Sequence, residues 1–339
     1  MADIYVRSSD GSNSDNGSTW ALAKATLAGA AAIDAAGDTI WVSDAHSESS
    51  GSTQTIKLAG TANSPVRVLC CDDTGNPEPP TALSTGAVVA TTASNAILVT
   101  GGHAYLYGID FRAGSSSNST FIACQGNPSS SQSQFYERCT FRLTATGTAA
   151  TIRICSSAPS STSRTVWKDC DVEFANASQR ILVYGGEWEW NGGSLVMGTS
   201  PSYIVIPGGS GYPARIRWSG VDLSAASASM GIVNGNATGA LDFVMRRCKL
   251  PASWSGSLLT GTVLAGVRAE MYDCDASGTN FKVWIEDFAG ALRDDTGIYL
   301  NGGAYDGTTR LSHKIVTTAN CNNLSGRFYT HEFTVWNDV

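Results

Sequence analysis

The chain has 339 residues, 42% of them hydrophobic and only 15% charged, with a formal net charge of −7. That balance excludes a nucleic-acid footprint or an anionic membrane surface, since either needs clustered Lys and Arg. No run approaches the roughly 18 apolar residues of a membrane span, and the opening MADIYVRSSD has neither the charged n-region nor the apolar h-region of a signal peptide.

Residues 8–20 (SSDGSNSDNGSTW) are rich in Asp, Asn, Ser and Gly and read as a structured loop. Its carboxylates raise the question of calcium, but their spacing is not that of an EF-hand and no bidentate Glu follows, so no metal is expected. The Ala-rich run 21–36 (ALAKATLAGAAAIDAA), with Leu22, Leu27 and Ile33 as its larger apolar residues and Gly37 as a stop, predicts a helix. Placed before the strand DTIWVSD (38–44), that helix would cap the open edge of whatever follows. Residues 1–45 therefore form one N-terminal unit of loop, capping helix and first strand. Stretches 72–86, 126–134 and 156–163 are Ser-, Pro- and Gly-rich loops.

Residues 46–305 carry a repeat. Seven hexads, LYGIDF, YERCTF, WKDCDV, WNGGSL, WSGVDL, MRRCKL and MYDCDA, have fourth residues Ile109, Cys139, Cys170, Gly193, Val221, Cys248 and Cys274, at intervals of 30, 31, 23, 28, 27 and 26 residues. The position three before is apolar or aromatic every time (Leu106, Tyr136, Trp167, Trp190, Trp218, Met245, Met271). The position two after is apolar too (Phe111, Phe141, Val172, Leu195, Leu223, Leu250, Ala276). The residue between is polar: Asp110, Thr140, Asp171, Ser194, Asp222, Lys249 and Asp275. This is period-2 alternation with one face in and one out, and the two spacers before the anchor, often Gly, Arg or Asp, read as a bend between two strands. A second series of β-rich runs precedes the hexads: ILVTGG from 97, FIACQG from 121, TIRICSS from 151, ILVYGG from 181, YIVIPGG from 203 and GIVNG from 231. Cys124 and Cys155, 31 residues apart, fall in it at the interval that separates Cys139 from Cys170.

A period near 28 residues with several short strands and no intervening helices predicts an all-β fold, a single-stranded parallel β-helix in which each turn buries its inner face on its neighbours. Most of the nine cysteines fall on inward positions, where a buried thiol packs as a small hydrophobe. No Cys/His cluster suggests zinc, and no cofactor is expected. Residues 306–339 end in an alternating aromatic stretch (Phe328, Tyr329, Phe333, Val335, Trp336) and read as a closing or assembly segment.

Two groups of carboxylates are candidates for catalysis. Asp110, Asp171, Asp222 and Asp275 share the outward ladder; with adjacent rungs about 4.8 Å apart, acids two rungs apart lie roughly 9.6 Å apart, the upper limit for an inverting glycosidase pair. Glu187 and Glu189 alternate with Trp188 and Trp190 on one strand, roughly 6.6 to 6.8 Å apart, which suits an acid/base pair. Against both stands the matched placement of opposite charges on neighbouring rungs: Lys249 beside Asp222 and Asp275, Lys168 beside Glu137, Asp169 beside Arg138, Asp273 beside Arg247. Such pairs stabilise an exposed sheet face and consume the acids, so no catalytic residue is assigned.

The order of a strand, an Asn/Asp/Gly-rich loop with Thr-Trp, an Ala-rich segment and GDTIWV resembles the opening of pectate-lyase-like right-handed β-helices. The tail SHKIVTTANCNN is similar to the exit segment of β-helix proteins of tailed-phage virions. The resemblance implies a right-handed coil and a virion protein, made in the host cytoplasm and assembling as a homotrimer with capsid or tail proteins, with host-surface polysaccharide as a further partner. The expected function is a non-catalytic surface decoration, head or tail fibre, or adhesin. The alternatives are a tailspike-like polysaccharide lyase or glycoside hydrolase, and a bacterial surface adhesin.

Overall fold

The computed structural model describes residues 1–115, 120–124, 132–145, 150–155, 163–197, 203–207, 213–234, 241–252, 254 and 274, and the backbone of strands at 259–260, 267–272, 281–286, 298–301 and 311–316. The described residues are mostly β with almost no helix, and every pair of strands among them is parallel.

The strands lie in three main sheets that the chain visits in rotation. The first has eleven strands: Asp3–Val6, Thr39–Ser43, Val66–Cys71, Ala104–Tyr107, Ser133–Glu137, Arg164–Lys168, Gly186–Asn191, Ala214–Ser219, Leu241–Arg246, Val267–Tyr272 and Ile298–Asn301. The second has six, including Ile109–Ala113, Thr140–Leu143, Asp171–Phe174 and Leu195–Met197. The third has eight, among them Gln54–Leu58, Ile97–Gly101, Phe121–Cys124, Thr151–Ile154, Arg180–Val183 and Tyr203–Pro207. From Thr39 to Pro207 each circuit runs first, second, third sheet and then pairs with the circuit before it; beyond that, single bridges at Asp222 and Lys249 stand where the second-sheet strand was.

The ladder read from the hexads is the register of the first sheet. Leu106 pairs with Tyr136, Tyr136 with Trp167, Trp167 with Trp190, Trp190 with Trp218, Trp218 with Met245 and Met245 with Met271. In the second sheet Asp110, Thr140 and Asp171 are partners, and bridges join Ser194 to Asp222 and Asp222 to Lys249. In the third sheet the register differs by one residue from the sequence reading: Cys124 pairs with Ile154, not Cys155. Cys155 instead turns into a left-handed conformation (φ 52) and ends the strand.

The bend between the first two sheets is itself a ladder. Gly108, Arg138, Asp169, Gly192, Gly220 and Arg247 all have positive φ, between 49 and 74. Their N–H groups donate to the next circuit, Gly108 to Glu137 O at 3.0 Å, Arg138 to Lys168 O at 2.9 Å, Asp169 to Asn191 O at 2.8 Å and Gly220 to Arg246 O at 2.9 Å. A left-handed residue at each of these bends, two in succession at Gly192 and Gly193, thus turns the chain from one sheet to the next without interrupting backbone pairing.

Inside runs one apolar core from Ile4 to Cys274. Trp167, Trp190 and Trp218 lie on successive circuits, fully buried, as the hexads predict. Their rings meet edge to face, Trp167 to Trp190 at 5.6 Å and Trp190 to Trp218 at 5.3 Å, an arrangement suited to the ring quadrupole. Cys139, Cys170, Cys248 and Cys274 are buried alongside, and no disulfide joins any two of the eight described cysteines.

The expected capping helix over 21–36 is not formed. Only a 3₁₀ turn, Trp20–Leu22, and the five-residue helix Leu27–Ala31 occur there, the latter capped by Thr26 Oγ1 accepting from Gly29 N at 3.0 Å. The reason lies in backbone pairing: Tyr5 O accepts from Lys24 N at 2.8 Å, Lys24 O from Arg7 N at 2.9 Å, and Gly17 O from Tyr5 N at 2.8 Å. Gly17 and Lys24 must keep their backbone groups on the open edge of Asp3–Val6, so the loop does the shielding and the short helix only plugs the core with Leu27, Ala30 and Ala31. No helix among the described residues is long and apolar enough to cross a membrane.

Candidate functional site: the outward charge ladders

The alternation of Gly186–Asn191 puts Trp188 and Trp190 inside and Glu187 and Glu189 on the outer face, their side chains 33% and 22% exposed. Register sets what surrounds them. Glu187 lies between Arg164 and Arg215, and Glu189 between Val166 and Arg217. Arg164 Nη2 meets Glu189 Oε1 at 2.6 Å and its Nε meets Glu187 Oε2 at 3.7 Å; Arg215 reaches Glu187 at 4.0 Å. On the next circuit Arg215 and Arg217 both turn to Asp242. Three carboxylates and three guanidinium groups form a continuous chain of ion pairs over four strands.

The second-sheet ladder behaves similarly. Asp110 is more deeply set than its outward position implies, only 8% exposed, because Arg112 Nη2 and Arg142 Nε fold over it at 2.7 and 3.2 Å, and Arg142 also binds Glu173. Asp222 takes Lys249 Nζ at 3.4 Å and the Ser224 N–H at 2.8 Å. Burial pushes its carboxyl up, but these donors outweigh burial and hold it below the usual range. Glu137 likewise ends lower than usual: burial raises it, while Lys168 Nζ and the Tyr105 hydroxyl, both at 2.9 Å, bring it down. Asp171 is exposed, and its partner is the Ser194 hydroxyl at 2.7 Å. Asp275 and Asp273 lie outside the described residues, as do the tail aromatics.

Arg138 and Asp169 do not pair with each other. Both occupy the left-handed bend, which aims the Arg138 guanidinium at the Tyr107 hydroxyl, 3.3 Å away, and lays the Asp169 carboxylate over Gly192. The partners of Glu187 and Glu189 were not singled out in the sequence, though the signal was present: Arg164, Glu187, Arg215 and Asp242 each stand three residues before Trp167, Trp190, Trp218 and Met245. A further acidic group joins Asp44, Asp72 and Asp73, whose carboxylate oxygens lie within 4.8 Å of one another. Arg7 at 3.2 Å from Asp73 and the Ser84 hydroxyl at 2.8 Å from Asp44 supply donors to it.

Such an arrangement ties the outer faces together. An acid/base pair flanking a glycosidic bond needs carboxyl oxygens open to substrate, and Glu189 Oε1 is already taken by both Nε and Nη2 of Arg164.

No protein-family model matches the chain, and no curated protein matches it. Among solved structures, crystal structures of the GH136 lacto-N-biosidase from Eubacterium ramulus, native and selenomethionine-substituted, align over 94% of this chain and 68% of theirs. Identity is 8% in both, and the TM-scores are 0.46 and 0.41. At that likeness nothing of the lacto-N-biosidase's activity transfers to this chain.

Proposed function

We propose that this chain is a non-catalytic structural or adhesive protein of a tailed-phage virion, a right-handed parallel β-helix that assembles as a homotrimer. The three parallel sheets visited in rotation around one core support the coil. The observation that carries the non-catalytic reading is charge compensation: Asp110, Asp222, Glu187 and Glu189 each face a basic side chain, most of them from a neighbouring circuit. Exposed pairs of this kind add about 0 to 1 kcal/mol each, and their collective effect is to hold adjacent circuits in register.

Two measurements test the reading. Incubation with host capsular or O-antigen polysaccharide is expected to release no new reducing ends and no unsaturated product absorbing in the ultraviolet. Oligosaccharide release that is lost in Glu189→Gln or Asp222→Asn establishes the depolymerase instead. Negative-stain imaging of phage particles with antibody to the chain is expected to label the virion, and unlabelled particles overturn its place there.

A further inference from the structure

The third sheet differs from the other two in what it shows outward. Its eight strands contain no Asp or Glu, although the chain has 29, and its charged residues are Lys57, Arg153 and Arg180. Across the sheet Leu98, Ala123, Arg153, Leu182 and Ile206 stand in register, with Leu98, Leu182 and Ile206 half-buried. Beside them Arg153 lies over the ring of Phe121 at 3.6 Å and Arg180 over Tyr203 at 4.7 Å. Aliphatic and aromatic side chains with Arg, and no acids, is the composition of an interface centre and not of a solvated rim. Among the described residues Arg153 has no carboxylate partner; its side-chain hydrogen bond goes to Thr151 Oγ1 at 3.2 Å.

The complementary charge is on the second sheet. Asp171 is exposed and, among the described residues, has no basic partner; Glu173 on the same strand is 47% exposed and already meets Arg142 of the preceding circuit. The strand Asp171–Phe174 belongs to the same circuit as Arg180–Val183. In a ring of copies whose axis runs along the stack, equivalent circuits lie level. Arg180 is then at the height of Asp171 and Glu173 of the adjoining copy, and Arg153, one circuit of about 4.8 Å away, is level with Thr140 and Arg142 and reaches Asp171 along the stack. A two-fold contact through the third sheet would oppose arginines to arginines, so the contact is head to tail around a closed ring.

We infer that the outer face of the third sheet is the self-association surface of this protein and takes the Asp171 and Glu173 face of a second copy. The inference rests on the homotrimer proposed above and names its interface. Sedimentation velocity and light scattering on the full chain are expected to give the mass of three copies. Arg153→Glu with Arg180→Glu should shift it to one copy while circular dichroism and melting remain those of a folded chain. Asp171→Arg with Glu173→Arg should do the same, and the four changes combined should restore the oligomer. A wild-type monomer, or an oligomer indifferent to charge reversal at Arg153 and Arg180, overturns the surface. So does a monomer that binds heparin through these arginines, which makes the face a polyanion site. A wild-type monomer removes the homotrimer together with its interface, whereas an oligomer indifferent to charge reversal removes the interface alone; neither outcome bears on glycan cleavage or virion labelling.

Discussion

Trp190 donates its indole N–H to Cys170 O at 3.0 Å, whereas Trp188 and Trp218, equally buried, have no acceptor for theirs. The distinction orders their substitutions. Trp190→Ala removes a packed ring and is expected to cost about 3 to 5 kcal/mol, read as a lowered denaturation midpoint with unchanged slope. Trp190→Phe leaves the Cys170 carbonyl without its donor, adding about 1 to 3 kcal/mol to the loss of ring volume; Trp188→Phe discards an unpaired donor and should be the milder change. Asp34 offers a pH readout. Burial raises its carboxyl to about 6, with Asp38 adding to the shift and the Ala59 N–H opposing it. Because the folded value lies above the ordinary 3.8, the folded state holds the proton more tightly. The stability that Asp34 contributes is therefore fully present below 3.8 and is lost as pH rises through about 6. Asp34→Asn, which keeps an acceptor for Ala59 N, should flatten the melting temperature over that window and raise it at neutral pH.

At the scale of elements, the bend ladder is where sequence and backbone disagree most. Gly193 follows the left-handed Gly192 and is itself at φ 85, and a Cβ there would run into the backbone of Cys170. Gly193→Ala should prevent the circuit from closing on its neighbour, with loss of cooperative melting. At the same bend Arg247 holds φ 49 with an exposed side chain, a conformation costing a non-glycine residue roughly 1 to 2 kcal/mol. Arg247→Gly is therefore expected to keep or raise the melting temperature, and a marked fall would mean that the Arg247 side chain supplies more than the strain it imposes. The sequence announced this bend through its spacers, because breaks in alternation are visible in residue type. It did not announce that the Ala-rich segment would form only a 3₁₀ turn and a five-residue helix, since helix propensity is a weak preference and the edge of Asp3–Val6 needed backbone partners more.

For the whole molecule, inward positions were legible because a stack of circuits demands the same side-chain type at the same place, so Tyr136, Trp167, Trp190 and Trp218 could be aligned by their size. Outward positions were not, since Glu187 is explained by Arg164 and Arg215, one circuit away on either side and distant in sequence. The same stacking predicts how the molecule opens. Each circuit touches its neighbours above and below, so the described interior circuits become accessible only when those beside them are lost. Cys139 and Cys170 lie in such circuits, and burial raises the Cys170 thiol well above its ordinary value, which suppresses the reactive thiolate. Native-state thiol labelling should therefore modify Cys139 and Cys170 only through global unfolding, with a free energy of opening equal to that from denaturant melts. Labelling of both within the dead time, without loss of near-ultraviolet circular dichroism, would place them outside the core and dissolve the register from which the fold was argued.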